Sequence, residues 1–286
     1  MSAPAFADRP VLFCKAGAGN IRAFVLSDEN ARIEHLAITG FSGYDSGGGY
    51  GGTVRVVEGR VADCLFFDTG AGMNTLGGAI ALVNGTAIAE RCVISNCYTS
   101  LTSSGYHGGA MAISGGRAEN CLIVGCRSNG AGGVYLNGGS LANCIVTDCY
   151  TSDGSKTLTG YAGGILAEGD AKVYNSVIVG NRNGLSDVTS QVKGTEKCFF
   201  NNAMDFVWGK NCVTNDPRFA DAAHGDWHIG KDSPLVNAGV NIDYTADSVD
   251  FEGNPRVFNF GRKSGKPDIG IYETPWGSPG MLLLVK

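Results

Sequence analysis

A diglycine returns along the middle of the chain at Gly51-Gly52, Gly77-Gly78, Gly108-Gly109, Gly132-Gly133 and Gly163-Gly164, at intervals of 26, 31, 24 and 31 residues. A second motif, a cysteine followed by two apolar residues, recurs at Cys64, Cys92, Cys121 and Cys144 and continues as Ser176 in NSVIVG and Cys198 in KCFFN. His35 of EHLAITG takes the same slot 29 residues before Cys64, which makes about seven copies of a unit of 22–32 residues. A period of this size marks a solenoid. Strand-sized apolar runs punctuated by glycine, with few helix-length amphipathic segments, select strands over helices. The expectation is an all-β chain: a right-handed parallel β-helix (β-solenoid) of about seven coils over 1–212, then an irregular C-terminal capping segment over 213–286. Glycine makes up 44 of 286 residues and proline only 8, which excludes collagen and Pro-rich disorder.

Stacked coils turn each repeat position into a column. After the cysteine slot come Leu36, Leu65, Val93, Leu122, Ile145 and Val177, then Ala37, Phe66, Ile94, Ile123, Val146 and Ile178. Neighbouring side chains on a strand face opposite ways. The cysteine and third columns are therefore expected inside and the Leu/Val/Ile column outside, where an apolar strip calls for a cover. Cys97, Cys126 and Cys149 form a second cysteine column, five residues after the first. Buried thiols pack as small hydrophobes, so a reduced cysteine ladder is expected, with Cys198 and Cys212 as the pair to test for a disulfide. Five-residue spacing is no zinc knuckle, so no metal site and no cofactor are expected.

The loops before alternate diglycines end in tyrosine: Tyr50, Tyr106 (followed by His107) and Tyr161. Two-coil spacing places three rings along one edge about 10 Å apart. With Ser/Thr/Asn around them, Tyr50, Tyr106, His107 and Tyr161 form a candidate ligand-binding edge for a glycan; the alternative is that each ring plugs its own turn. A net charge of −5 and a pI near 5.4 argue against nucleic acid as a partner. No apolar run approaches the roughly 20 residues of a membrane span, and MLLLV at 281–285 is far shorter. APAFA near the start ends in an Ala-x-Ala pattern like that of a signal-processing site.

Catalytic patterns are sparse. Asp68 and Asp148 share a slot three coils apart; Arg55 and Arg91 have no acidic cluster in register; Asp153, Glu168 and Asp170 read as turn residues. No catalytic residue is assigned, and a polysaccharide lyase or glycoside hydrolase stands as the alternative, which needs an acidic pair facing a groove.

Beyond Cys212 the pattern changes. DPRF (216–219), DWHI (226–229), DSPLVNAG (232–239), DFEGNPR (250–256) and DIGIYE (268–273) follow in order. In these motifs the chain resembles bacterial surface β-helix proteins with a choice-of-anchor C-terminal domain. GGAI at 77–80 and GGAM at 108–111 are similar to the diglycine repeats of polymorphic outer-membrane adhesins. The resemblance implies a right-handed parallel β-helix, export and an extracellular or bacterial cell-surface location, and it supplies no catalytic residues. Within the segment, Asp250, Glu252, Arg256 and Asp268 are expected to form a turn-fixing salt-bridge set. The function expected is a non-catalytic module for adhesion, glycan binding or envelope assembly, whose partner is a polysaccharide or another envelope protein. A self-assembling homo-oligomer, joined through the outward apolar column, is a further alternative.

Overall fold

The computed structural model describes residues 8–14, 21–43, 49–72, 75–99, 107–151, 161–184, 192–245, 247–257 and 265–274. It is a parallel β-solenoid of about six turns, close to the seven repeats counted in the sequence. Its first face is an eight-stranded sheet running from Val11–Phe13 through Leu65–Phe67, Val93–Ser95, Leu122–Val124, Ile145–Thr147 and Val177–Val179 to Ala203–Met204. Short strands such as Arg127–Ser128, Tyr150–Thr151 and Arg182–Asn183 make the second face. The third face starts as the long strands Phe24–Glu34 and Val54–Ala62 and then splits into paired short strands, as in Val134–Leu136 and Ser140–Ala142.

A left-handed residue sets each bend into the first face: Asp63 (φ 52°), Arg91 (48°), Asn120 (54°), Asn143 (50°), Asn175 (46°) and Asn201 (53°). Asn and Asp tolerate this region better than other side chains because they bond locally. His35 (φ 59°) belongs to this bend column. Register pairs Ala37 with Leu65, so Leu36, not His35, stacks on Cys64. At the other end Val177 pairs with Ala203, so Asn202, not Cys198, follows Ser176. Both departures have one cause: the motif was matched on the cysteine and its apolar neighbours, whereas the bend residue fixes the register.

No disulfide joins any of the cysteines, Cys198 and Cys212 included. Within the column, each Sγ donates to the carbonyl two residues back: Cys64 to Ala62 at 3.2 Å, Cys92 to Glu90 at 3.3 Å, Cys121 to Glu119 at 3.3 Å and Cys144 to Ala142 at 3.2 Å. Ser176 Oγ makes the same bond to Tyr174 at 2.8 Å. The slot thus asks for a small side chain with one donor, which cysteine meets with little polar surface to bury. Ile38, Phe66, Ile94, Ile123, Val146 and Ile178 point inward beside it and are fully buried. Each such side chain contributes about 1.5–3 kcal/mol by leaving water.

The outward column is covered by the chain itself. Val93, Leu122, Ile145, Val177 and Ala203 pack against Trp227, Ile229, Leu235, Ile269 and Ile271 of the C-terminal segment. The bend asparagines hold that segment. Asn175 Nδ2 donates to Val240 O at 2.8 Å while its Oδ1 accepts from Val240 N at 2.9 Å, reading one residue's backbone from both sides. Asn120 donates to Val249 O at 2.9 Å, Asn143 to Asp268 O and Gly270 O at 3.3 Å, and Asn201 to Ala238 O at 3.4 Å. Coverage fades toward the first rung, where Val11 is 57% and Phe13 68% exposed. Among the described residues, the exposed apolar surface of this column while the segment is docked is at those early rungs.

Arg256 is the hub of the docked segment and is completely buried. It donates to Glu273 Oε1 at 2.7 Å, to Gly270 O and Ile271 O at 3.1 Å, and to Asn120 Oδ1 on the solenoid. Its acidic partner is therefore Glu273 rather than the expected Asp250, Glu252 or Asp268. Those carboxylates work locally: Asp250 accepts from the backbone of Glu252, Asn254 and Glu273, Asp268 from Asn237 and Thr274, and Glu252 meets His228 at 3.3 Å. Burial pushes Glu273 up to about 8, Arg256 offsetting part of the cost and Asp268 adding to it. Burial likewise raises Asp268. A carboxyl raised on folding stabilises the fold below the ordinary carboxylate range, and that contribution is lost as pH rises through the folded value. Thermal unfolding is therefore expected several degrees lower at about pH 9 than at about pH 6, with Glu273→Gln flattening the difference. A Glu273→Gln variant that kept the full difference would place the titration elsewhere.

Candidate functional site

Where the second face turns into the third, one column runs through successive rungs. Tyr50 pairs with Leu76; Gly77 donates to His107 O at 3.1 Å; Ala131 bridges Ala162, which sets Gly130 beside Tyr161. The column reads Tyr50, Leu76, His107, Gly130, Tyr161. Tyr106 lies outside the described residues. Gly130 is the notch in the column: a Cβ there would sit 1.5 Å from His107 Nδ1. The His107 ring fills that notch, with its centre 5.6 Å from the Tyr161 ring and 4.8 Å from the Tyr135 ring.

Tyr135 comes from the strand Val134–Leu136, whose alternation buries Val134 and Leu136 and turns Tyr135 outward. Its hydroxyl donates to Glu168 Oε2 at 3.4 Å. Burial, the Glu168 carboxylate and nearby Tyr50 push the Tyr135 phenol up to about 12. Burial lowers His107, against a smaller pull from Glu168. At neutral pH the edge is therefore a neutral phenol and a neutral imidazole between aromatic faces, with one carboxylate at its margin. His107 Nδ1 is buried without a partner among the described residues. Such a surface stacks and donates hydrogen bonds; a phenol at about 12 is a donor, not a base.

Sequence reasoning found Tyr50, His107 and Tyr161 but not Tyr135, and it treated Glu168 as a turn residue. The signal for Tyr135 was present in GGVYLNGG, where two-residue alternation puts the ring on the outer face.

Comparison with protein-family models and with curated proteins finds no match.

The catalytic alternatives have their own geometry. Arg91 does meet acids: its Nε and Nη2 fork onto Asp63 at 2.9 and 2.8 Å, and Nη2 also reaches Glu90 at 2.9 Å, which Arg60 contacts at 2.6 Å. These pairs tie two successive rungs together and engage both carboxylates. Asp148, Asp205 and Asp216 line an open groove of about 510 Å³ with Phe219 and Trp227 between the first face and the C-terminal segment. All three carboxylates are exposed. Among the described residues, no group of three His, Cys, Asp or Glu side chains is placed to hold a metal. No helix among them is long and apolar enough to cross a membrane.

Proposed function

We propose that this chain is a non-catalytic β-solenoid module of a bacterial surface protein that binds a glycan along its aromatic edge. The observation that carries the reading is His107 set between Tyr135 and Tyr161 on one column edge. Sugar rings present apolar C–H faces and hydroxyl rims, which aromatic rings and neutral donors match. The surface location rests on the resemblance in the C-terminal segment, whose motif residues Trp227, Leu235, Arg256 and Ile271 are the ones buried in the structure. Adhesion or envelope assembly follows if the glycan belongs to a wall or a host surface.

The test is affinity electrophoresis through gels containing neutral polysaccharides such as xylan, glucomannan and amylopectin. Retardation of the parent chain by one of them is expected, with loss of about tenfold or more in a Tyr135→Ala, Tyr161→Ala variant that keeps its melting temperature. Equal mobility of parent and variant in every gel would make the rings packing groups of the corner.

A further inference from the structure

A second stripe lies on the outward side of the second face, on residues the aromatic edge does not use. Bridges and register place Tyr98, Arg127, Tyr150 and Arg182 on successive rungs. The stripe alternates ring and guanidinium. Arg127 Cζ lies 4.8 Å from the centre of the Tyr98 ring, and Arg182 Cζ lies 5.4 Å from that of Tyr150. The Tyr98 ring rests on Gly70, where a Cβ would come within 2.9 Å of two ring carbons. Tyr98, Arg127 and Tyr150 are half-buried and Arg182 is exposed.

A guanidinium stacked on a ring is held flat, with its N–H donors at the edge of the stack. Arg127 gives one donor to Asn96 Oδ1 at 3.0 Å. No ion pair among the described residues engages either guanidinium. On a chain of net charge −5, these are two guanidiniums, each set over a tyrosine ring and without an ion pair among the described residues, two rungs, or about 9.6 Å, apart.

We infer that the stripe binds an acidic polysaccharide laid along the solenoid axis, each arginine taking one carboxylate or sulfate in its fork. The planar fork matches such anions in two parallel hydrogen bonds. The spacing decides the polymer class. A nucleic acid carries a phosphate on every nucleotide, a closer charge spacing than that of the two arginines. A glycan with an acid on alternate sugars spaces its charges much further apart. The inference is independent of the aromatic edge, since it stands on a different face and either stripe can fail alone.

The experiment is affinity electrophoresis of the full chain in gels containing hyaluronate, dextran sulfate or uncharged dextran, with single-stranded oligothymidine as competitor. Retardation by hyaluronate but not by dextran is expected, falling about tenfold or more in Arg127→Gln, Arg182→Gln. Arg182→Gln alone, at an exposed position that the fold does not need, should show part of that loss at an unchanged melting temperature. Retardation by dextran sulfate alone, lost in the same variants, would support the fork and name sulfate as the anion. The inference is overturned if no acidic polymer retards the chain, if the double variant moves like the parent, or if oligothymidine displaces the glycan at equal charge.

Discussion

Arg256→Ala is expected to release the C-terminal segment from the solenoid at a cost of about 3–5 kcal/mol. Among the described residues, the guanidinium is the only cation bonded to Glu273, whose carboxyl is buried beside Asp268. Removing it takes a donor from Glu273 Oε1 and strips donors from Asn120 Oδ1 and from the carbonyls of Gly270 and Ile271. An uncompensated buried group costs more than the bond it lost was worth. The solenoid core does not depend on this site, because each coil leans on its neighbours. The variant should therefore keep its far-ultraviolet spectrum and its buried thiols while residues 213–274 become sensitive to protease. It should also bind apolar dyes and associate at raised concentration, because Val93, Leu122, Ile145 and Val177 lose their cover. Arg256→Lys keeps the charge but cannot serve four acceptors in fork geometry, so it should fall between the two. A fully protected segment in the alanine variant would show that the apolar contacts hold it unaided.

The uneven legibility of this fold follows from where each constraint lies. Glycine and cysteine columns could be read because each answers a demand that recurs at every rung: close approach of the neighbouring rung's backbone, or a small donor for a bared carbonyl. The register failed at its two ends, at His35 and Cys198, because the bend residue was not used as the anchor. Asn120-Cys121, Asn143-Cys144 and Asn175-Ser176 carried that signal in plain view. The outward column was legible as apolar, yet its cover was not. Asn175 and Val240 are 65 positions apart, and no local pattern announces their pairing. The Tyr98, Arg127, Tyr150 and Arg182 stripe was missed although each residue directly follows its rung's Cys97, Cys126, Cys149 or Asn181. Reading one position past the second cysteine column exposes it.

The second large effect is expected at Gly109. The diglycines put one glycine per coil where the third face begins, and there the backbone touches the second face. A Cβ on Gly109 would lie 2.2 Å from Gly132 O and 2.5 Å from Arg127 O; on Gly78, 2.2 Å from Gly109 O and 2.4 Å from Tyr98 O; on Gly132, 2.2 Å from Gly163 O and 2.5 Å from Tyr150 O. Every obstacle is backbone carbonyl rather than a flexible side-chain end, and the carbonyls belong to stacked rungs that cannot retreat separately. Gly109→Ala should cost about 3 kcal/mol, the upper end for overpacking, in chemical denaturation. Gly85→Ala, with nothing within 4 Å of its Cβ, should change stability by no more than about 0.5 kcal/mol. The same contact ties structure to binding. The glycine column presses the second-face backbone against the start of the third, so the arginine stripe and the His107 edge meet at one corner. If Gly109→Ala folds at all, it should loosen both stripes together, and glycan retardation through either should fall with the melting temperature. A stable Gly109→Ala chain that binds as the parent does would mean that the corner opens without cost and that the diglycines answer some demand other than close approach.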